Sequence, residues 1–161
     1  MNKLAVAMGI DPGKKGAIGY LTSGNYGGVI DLNIDTLHED IKGIIKGVRP
    51  GCAICGLENQ TQWGLSDKLQ GNRLSNYLKD YGKIQMILEI LGIGIIEVSA
   101  RKWQSNLLGS VPTGKTKEAS VDYACRIAPW LKDRLKSKTT GRADAICLAE
   151  YARQTWRLLG E

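Results

Sequence analysis

The sequence predicts an α/β fold in which helices flank a single five-stranded mixed sheet. The continuous apolar run at residues 4–10 has the length of a strand that is buried on both faces. Two further strand-like segments follow it closely, which is typical of an antiparallel meander. Beyond them helical and strand patterns alternate, and this alternation favours parallel strands connected through helices.

Each element follows from a local pattern. Short apolar runs between glycine- or proline-containing turns predict strands, and apolar residues three or four positions apart predict helices. The predicted strands are residues 4–10, 17–21, 28–35, 52–58 and 94–98. The predicted helices are residues 73–91, 99–108, 116–128 and 142–158, together with a helix between Thr36 and Pro50.

Capping residues support two of the helix starts. Thr36 and Glu39 have the spacing of a capping box, and Ser99 is placed to cap the helix that follows the last strand. Residues 59–72 are polar and contain two glycines, so they predict a mobile loop.

The composition predicts one domain spanning residues 1–161. The net charge of +6 and the pI of about 9.2 are compatible with a nucleic-acid partner. No run of 18 apolar residues is present, so no transmembrane helix is predicted. We interpret all four cysteines as small buried hydrophobic residues in a reducing compartment, which predicts a cytoplasmic protein.

Three acidic residues occur where apolar surroundings make a carboxylate costly. Asp11 and Glu58 end the first and fourth apolar strands, and Asp144 lies within the alanine-rich last helix. A buried carboxylate needs a compensating partner, and three that converge would repel one another. A divalent cation is the natural partner for such a group.

Helical geometry predicts which way the last helix faces. Asp144 falls on the buried arc, in the first turn, where the helix dipole also favours a negative charge. On the same geometry, Glu150, Arg153 and Arg157 are predicted to face water.

Three segments carry a resemblance to a known family. Residues 9–16 have the form Gly-Ile-Asp-Pro-Gly-x-x-Gly, Glu58 ends a strand, and residues 141–145, Gly-Arg-Ala-Asp-Ala, open the last helix. In order and spacing they resemble the RuvC-type Holliday junction resolvases, and the last segment is most similar to bacteriophage-encoded members. The resemblance covers nearly the whole chain. It implies a ribonuclease H-like fold, a homodimer, and nicking of two opposed strands of a four-way DNA junction.

The resemblance also implies roles for the acids. Asp11 would bridge two metal ions, with Glu58 and Asp144 completing the sites, and oxygen ligands favour Mg²⁺ or Mn²⁺. Two ions per active site would activate a water and stabilise the leaving oxygen, which leaves a 5′-phosphate and a 3′-hydroxyl. A lysine near the scissile phosphate matches Lys117 best, with Lys115 as the second candidate.

The chain departs from the family pattern at Gly141. Most RuvC proteins have a fourth acid or a histidine three residues before the last aspartate, and here that position is a glycine. A water or another acid would complete the metal site, or its metal affinity would be lower.

Basic and aromatic residues supply the predicted DNA contacts. Phosphate oxygens are bound mainly by lysine and arginine, and aromatic rings stack on unpaired bases. Trp63, in the loop after Glu58, is a candidate for the aromatic residue that RuvC proteins insert into the junction. The basic candidates are Lys14, Lys15, Arg73, Lys102, Lys115 and Lys117.

The predicted helix at residues 73–91 contains more apolar residues than one core-facing stripe requires. We interpret the surplus as a dimer interface, with burial in the core as the competing interpretation.

Two alternative functions remain open from the sequence. Residues 109–116 match the phosphate-binding pattern Gly-x-x-x-x-Gly-Lys-Thr, which would make the chain a P-loop nucleotide-binding protein or ATPase. That motif requires a preceding strand, and the segment before it does not have a strand pattern. The absence of a fourth acid at Gly141 leaves a third interpretation, a junction-binding protein with weak catalysis.

Overall fold

A computed structural model describes residues 3–24, 26–60 and 72–159. Its strands form one sheet in the order β3-β2-β1-β4-β5. β1, β2 and β3 are antiparallel neighbours, while β4 and β5 run parallel to β1. The strands are β1 Val6–Asp11, β2 Ala17–Thr22, β3 Gly27–Asp31, β4 Ala53–Glu58 and β5 Gly94–Val98. The predicted five-stranded mixed sheet is therefore confirmed.

The helices lie on both faces of this sheet. A short 3-10 turn at Pro129–Leu131 and the four-residue helix α5 were not predicted. The α-helices are α1 Leu37–Ile44, α2 Asn72–Ile90, α3 Ala100–Leu108, α4 Thr116–Ile127, α5 Lys132–Leu135 and α6 Arg142–Leu159.

The ends of several elements differ from the sequence prediction. β3 ends at Asp31 instead of residue 35, because its pairing with β2 ends where β2 begins. The predicted capping box of α1 does not form. Thr36 makes no side-chain cap, and its hydroxyl donates instead to Asp40 Oδ2 at 2.7 Å. Ser99 does cap α3 by accepting from the Lys102 amide at 3.3 Å.

The hydrophobic core has one layer on each face of the sheet. One layer packs α1 and α2 against the sheet, and the other packs α3, α4 and α6 against it. The first layer includes Met8, Ile10, Ile18, Leu37, Ile41, Leu57, Ile84 and Leu88. The second layer includes Val29, Trp103, Ala124, Leu131, Leu135, Ile146 and Leu148.

A row of three glycines brings α6 into backbone contact with the sheet. Gly9 pairs with Gly19 on β2 and with Gly56 on β4, so the row crosses three strands in register. A Cβ on Gly19 would lie 2.7 Å from the Ala145 carbonyl carbon, and one on Gly56 would lie 2.7 Å from the carbonyl oxygen of Leu148. Side chains in this row would therefore hold α6 away from the sheet.

The prediction of which α6 residues face water is wrong in part. Glu150 is only 6% exposed, forms an ion pair with Arg153 and accepts from Gln154 at 2.9 Å. Helices α3 and α4 also pack against α6, so it has more than one buried face. Arg157 is exposed, as predicted.

The cysteines are all free thiols. Cys52, Cys55 and Cys147 are buried, and burial raises the pKa values of Cys55 and Cys147. Cys125 is only half-buried, which corrects the prediction that all four are core residues. Among the described residues, no helix is both long and apolar enough to cross a membrane.

Candidate active site

Asp11 and Glu58 project from neighbouring strand ends onto the same face of the sheet. β1 and β4 are parallel, and Ile10 pairs with Leu57, so the last residues of the two strands lie side by side. Strand side chains alternate between faces. Asp11 follows Gly9 by two positions and Glu58 follows Gly56 by two, so both carboxylates share the α6 face.

Asp144 is brought to the same place by the anchoring of α6. The Gly141 amide, just before the helix, donates to the Lys15 carbonyl at 2.7 Å. The Arg142 guanidinium forms two hydrogen bonds of 2.7 Å with the carboxylate of Asp31 at the end of β3. These contacts fix the first turn of α6 beside the strand ends, and Asp144 is 7% exposed there.

The three predicted acids are close enough to influence one another electrostatically. Burial raises the pKa of Asp11, the Gly13 amide at 2.9 Å lowers it, and the charge of Asp144 raises it again. Burial, followed by the charge of Asp11, raises the pKa of Glu58 to about 7. The structure therefore brings the three acids near one another, and their role as metal ligands stays a prediction.

Lys117 also lies at the site. It is the second residue of α4, and its ammonium contacts Asp144 Oδ2. The other oxygen, Oδ1, is buried without a hydrogen-bond partner in the part of the chain that the structure describes. The lysine side chain is 46% exposed, so its ammonium group contacts the carboxylate and is also in contact with solvent.

Glu58 has two partners that the sequence did not reveal. The buried indole N–H of Trp103 donates to Oε2 at 2.8 Å, and the side-chain amide of Gln60 donates to Oε1 at 3.2 Å. Trp103 is 45 residues away in the chain, so no local pattern links it to Glu58. Gln60 follows Glu58 by two positions, and this spacing is the one sequence signal for its role.

Gly141 lies directly against the carboxylate of Asp11. A Cβ on residue 141 would be 2.9 Å from Asp11 Cγ, closer still to Oδ2, and 3.1 Å from Gly16 Cα. A side chain at residue 141, where the resemblance implies a fourth ligand, would therefore meet the Asp11 carboxylate.

Two solved structures share this architecture. A Thermus thermophilus RuvC structure matches with a TM-score of 0.60 and 18% identity, covering 93% of this chain and 96% of that one. T. thermophilus RuvC in complex with a Holliday junction substrate matches with a TM-score of 0.59 and 17% identity, covering 90% of each chain. The chain has a RuvC-like, ribonuclease H-type fold. No family model and no curated protein matches its sequence.

The other predicted DNA-binding residues that the structure describes are exposed basic side chains. Lys14 and Lys15 are exposed in the turn after β1, Lys102 on α3 and Arg73 on α2. Lys115 forms a 3.2 Å ion pair with Glu118. Trp63 lies outside the described residues.

The P-loop alternative lacks its structural context. Residues 109–116 are preceded by helix α3, whereas the phosphate-binding motif requires a strand that leads into the loop. The turn at Gly114 has a positive φ of 80° and leads into α4 at Thr116.

The acids fit a divalent cation by chemistry but are not arranged as a closed metal site. No group of three or more His, Cys, Asp or Glu side chains within residues 3–24, 26–60 and 72–159 is positioned to hold an ion as it stands. Lys117 supplies the positive charge next to Asp144 in this conformation. The buried Asp144 Oδ1 has no hydrogen-bond partner among the described residues, so a cation could supply the compensating interaction that this oxygen lacks.

Proposed function

We propose that this chain is a metal-dependent DNA endonuclease that resolves four-way or otherwise branched DNA by paired nicks. The observation that carries the proposal is the convergence of Asp11, Glu58 and Asp144 at one end of the sheet, with Lys117 beside them. The fold supports it, because the chain shares its architecture with a RuvC solved on a Holliday junction substrate.

The three carboxylates would hold Mg²⁺ or Mn²⁺, two ions per active site. Bound divalent ions supply an activated water and charge stabilisation for the leaving oxygen of a phosphodiester. The chain's own groups hold the ligands in place: the Gly13 amide orients Asp11, and the Arg142–Asp31 pair fixes the turn that carries Asp144. The products would be a 5′-phosphate and a 3′-hydroxyl.

Lys117 would exchange partners when DNA binds. Its ammonium neutralises Asp144 in the free protein, and a bound cation would take over that task. The lysine could then turn to a phosphate oxygen, since nearly half of its side chain is already in solvent. This exchange gives Lys117 a catalytic role.

DNA contact would come from exposed basic residues. The net charge of +6 favours association with phosphates and makes binding weaken as salt rises. The residues proposed for it are Lys14, Lys15, Arg73, Lys102, Lys115 and Lys117, with Trp63 for stacking on a base.

A homodimer would place two active sites on one junction, and α2 is the proposed interface. Leu78, Met86 and Ile90 are 48%, 53% and 68% exposed. Met86 and Ile90 are four positions apart and Leu78 is eight positions before Met86, so these exposed apolar side chains fall on one side of the helix. The single domain over residues 1–161, the bacteriophage branch and the cytoplasmic location remain predictions.

The test uses end-labelled four-way junctions and matched linear duplexes with Mg²⁺ or Mn²⁺. We expect paired nicks on the junction, and Asp11→Asn should reduce their rate by a factor of about 100 or more. Asp133→Asn is the matched control, because Asp133 is an acid with a 95% exposed side chain on α5. It should nick at the wild-type rate.

Other outcomes would favour the alternatives. ATP hydrolysis that is lost in Lys115→Ala would support a P-loop protein and contradict the nuclease. Tight junction binding with either metal but without nicking would support a binding protein with weak catalysis.

A further inference from the structure

Trp103 is the largest of the fully buried side chains in the described part of the protein, and it has one polar atom. That atom, Nε1, donates to Glu58 Oε2 at 2.8 Å. A buried indole N–H needs an acceptor, and many backbone carbonyls would serve. Here the acceptor is a carboxylate of the proposed metal site.

A short connection between β5 and α3 places α3 next to Glu58. Glu58 pairs with Val98 at the end of β5, and the Asn59 amide donates to the Val98 carbonyl at 2.9 Å. Ser99 follows immediately and caps α3. Trp103 comes one turn later, so its ring is set directly against the end of β4.

The second oxygen of Glu58 is held from another direction. The Gln60 side chain donates to Oε1 at 3.2 Å, and the Gln60 backbone amide donates to the Tyr77 hydroxyl on α2 at 3.2 Å. Each oxygen therefore accepts one hydrogen bond from a different part of the chain. A carboxylate has about four lone-pair positions, so acceptor capacity remains for a cation.

Both donors are uncharged, which matters beside a cation site. A lysine or arginine in their place would neutralise Glu58 and compete with a metal ion. Asp144 illustrates the contrast, because its partner is the charged and half-exposed Lys117. Neutral donors orient the carboxylate and leave its charge available.

We propose that Trp103 is a positioning residue, whose indole N–H holds the Glu58 carboxylate in the orientation that a divalent cation requires, with Gln60 supporting the other oxygen. This role rests on the proposed metal-dependent nuclease. It concerns metal binding as well as turnover, so it can be measured without DNA.

The test is Trp103→Phe, which removes the N–H and keeps an aromatic ring in the core. Mn²⁺ binding to the DNA-free protein is followed by the electron paramagnetic resonance signal of free Mn²⁺. We expect the dissociation constant to rise about tenfold, the usual scale for loss of a hydrogen bond to a metal ligand. In nicking assays, the Mn²⁺ concentration for half-maximal rate should rise far more than the rate at saturating Mn²⁺ falls.

Trp130→Phe is the matched control. The Trp130 indole also donates a hydrogen bond, to the Gly27 carbonyl at 3.1 Å, at the start of β3 and away from the carboxylates. This variant should lose a similar hydrogen bond and keep wild-type Mn²⁺ affinity. Equal Mn²⁺ affinities for the two variants would overturn the positioning role.

Gln60→Leu tests the same idea outside the core. It removes the other donor to Glu58 and should also weaken Mn²⁺ binding, even if Trp103→Phe does not fold. Unchanged Mn²⁺ affinity in Gln60→Leu would contradict the proposal. A wild-type protein that binds no Mn²⁺ would instead overturn the proposed nuclease site, and this role with it.

A nuclear magnetic resonance measurement gives an independent readout. Titration with Mg²⁺ should shift the indole ¹H–¹⁵N resonance that disappears in Trp103→Phe, because its acceptor would gain a metal ion. The resonance that disappears in Trp130→Phe should not move. If Mg²⁺ binds and the chemical shift of the Trp103 indole resonance does not change, the proposal is contradicted.

Discussion

At the scale of single residues, each acid of the site has a different kind of partner. Asp11 accepts from a backbone amide, Glu58 from two neutral side chains, and Asp144 from the ammonium of Lys117. Of these partners, only Lys117 carries a charge. The donors to Asp11 and Glu58 therefore orient these carboxylates without neutralising them, and burial raises the pKa of each.

These raised pKa values predict how the stability of the metal-free protein depends on pH. The pKa of Glu58 is about 7 in the folded protein and 4.5 ordinarily, so the folded state binds the proton more tightly. The free energy of unfolding should therefore fall as pH rises from about 4.5 to about 7, by at most about 3 kcal/mol from this group. Urea unfolding in EDTA across this range measures it.

Glu58→Gln separates this effect from other titrations. The variant should remove most of the decrease between the two pH limits. A decrease of the same size in Glu58→Gln would show that the Glu58 carboxyl is not its source.

Gly141 is the second residue-scale prediction. Gly141→Ala would push the Asp11 carboxylate from its place, so Mn²⁺ affinity should fall about tenfold or more. The affinity of Gly141→Asp should fall as well, because its Cβ meets the same carboxylate before the new acid can serve as a ligand. Calorimetric Mn²⁺ titration distinguishes the outcomes. Tighter Mn²⁺ binding by Gly141→Asp would contradict this explanation.

The sequence revealed the carboxylates but not the groups that hold them. An acid at the end of an apolar strand is conspicuous, so Asp11 and Glu58 could be found from pattern alone. A buried tryptophan in a helix is usually a core residue, and nothing in the sequence of α3 identifies Glu58 as its acceptor. At Gly141 the sequence predicts only a missing ligand, because the contact of this glycine with Asp11 depends on the tertiary structure.

At the scale of elements, the packing of α6 against the sheet determines the geometry of the site. The helix rests on the glycine row of β2, β1 and β4, and its backbone around Ala145 and Leu148 faces these glycines. The close approach places Asp144 level with the strand ends that carry Asp11 and Glu58. The spacing between helix and sheet is therefore part of the geometry of the site.

Gly9→Ala tests this packing. The added methyl would overlap the backbone of α6 at Ala145 and Ala149, so we expect a loss of about 3 kcal/mol in the free energy of unfolding. Mn²⁺ affinity should fall in the same variant, because Asp144 moves with the helix. Denaturant unfolding and Mn²⁺ titration measure the two effects.

Gly43→Ala is the control for that change. Gly43 lies in α1, where an added methyl group would meet nothing within 4 Å beyond its own helix, so alanine should stabilise the helix by up to about 1 kcal/mol. A Gly9→Ala protein as stable as Gly43→Ala would rule out the close packing of α6 against the sheet.

The elements themselves were largely predictable, and the errors have physical causes. Continuous apolar runs located the strands, since both faces of this sheet are covered by helices. Helical periodicity predicts an exposed Glu150 because it assumes one buried face, whereas α6 has several. The sequence does not predict the glycine row, because each glycine is ordinary within its strand and the row exists only once the strands are in register.

At the scale of the whole molecule, one helix leaves apolar surface exposed. Leu78, Met86 and Ile90 are exposed, whereas Tyr81, Ile84 and Leu88 of the same helix face the core. Some apolar residues of the segment 73–91 are therefore not needed for the core and lie exposed on this helix. Their burial against a second copy remains a proposal.

Met86→Glu tests that interface. A charge among these exposed apolar residues should convert the proposed dimer to a monomer at micromolar concentration, because a buried unpaired carboxylate is costly. Sedimentation velocity measures the oligomeric state. Lys136→Glu, at an exposed position on the other face of the sheet, should remain a dimer. A wild-type protein that sediments as a monomer would contradict the interface.

Cleavage of a supercoiled plasmid that extrudes a cruciform tests the central claim most directly. Paired nicks by two linked active sites convert such a plasmid to linear DNA without an accumulation of nicked circles. We predict linear product with Mg²⁺ or Mn²⁺, none with Asp11→Asn, and none on the same plasmid without the cruciform. Equal cleavage of both plasmids, or no cleavage of either, would contradict a metal-dependent junction resolvase.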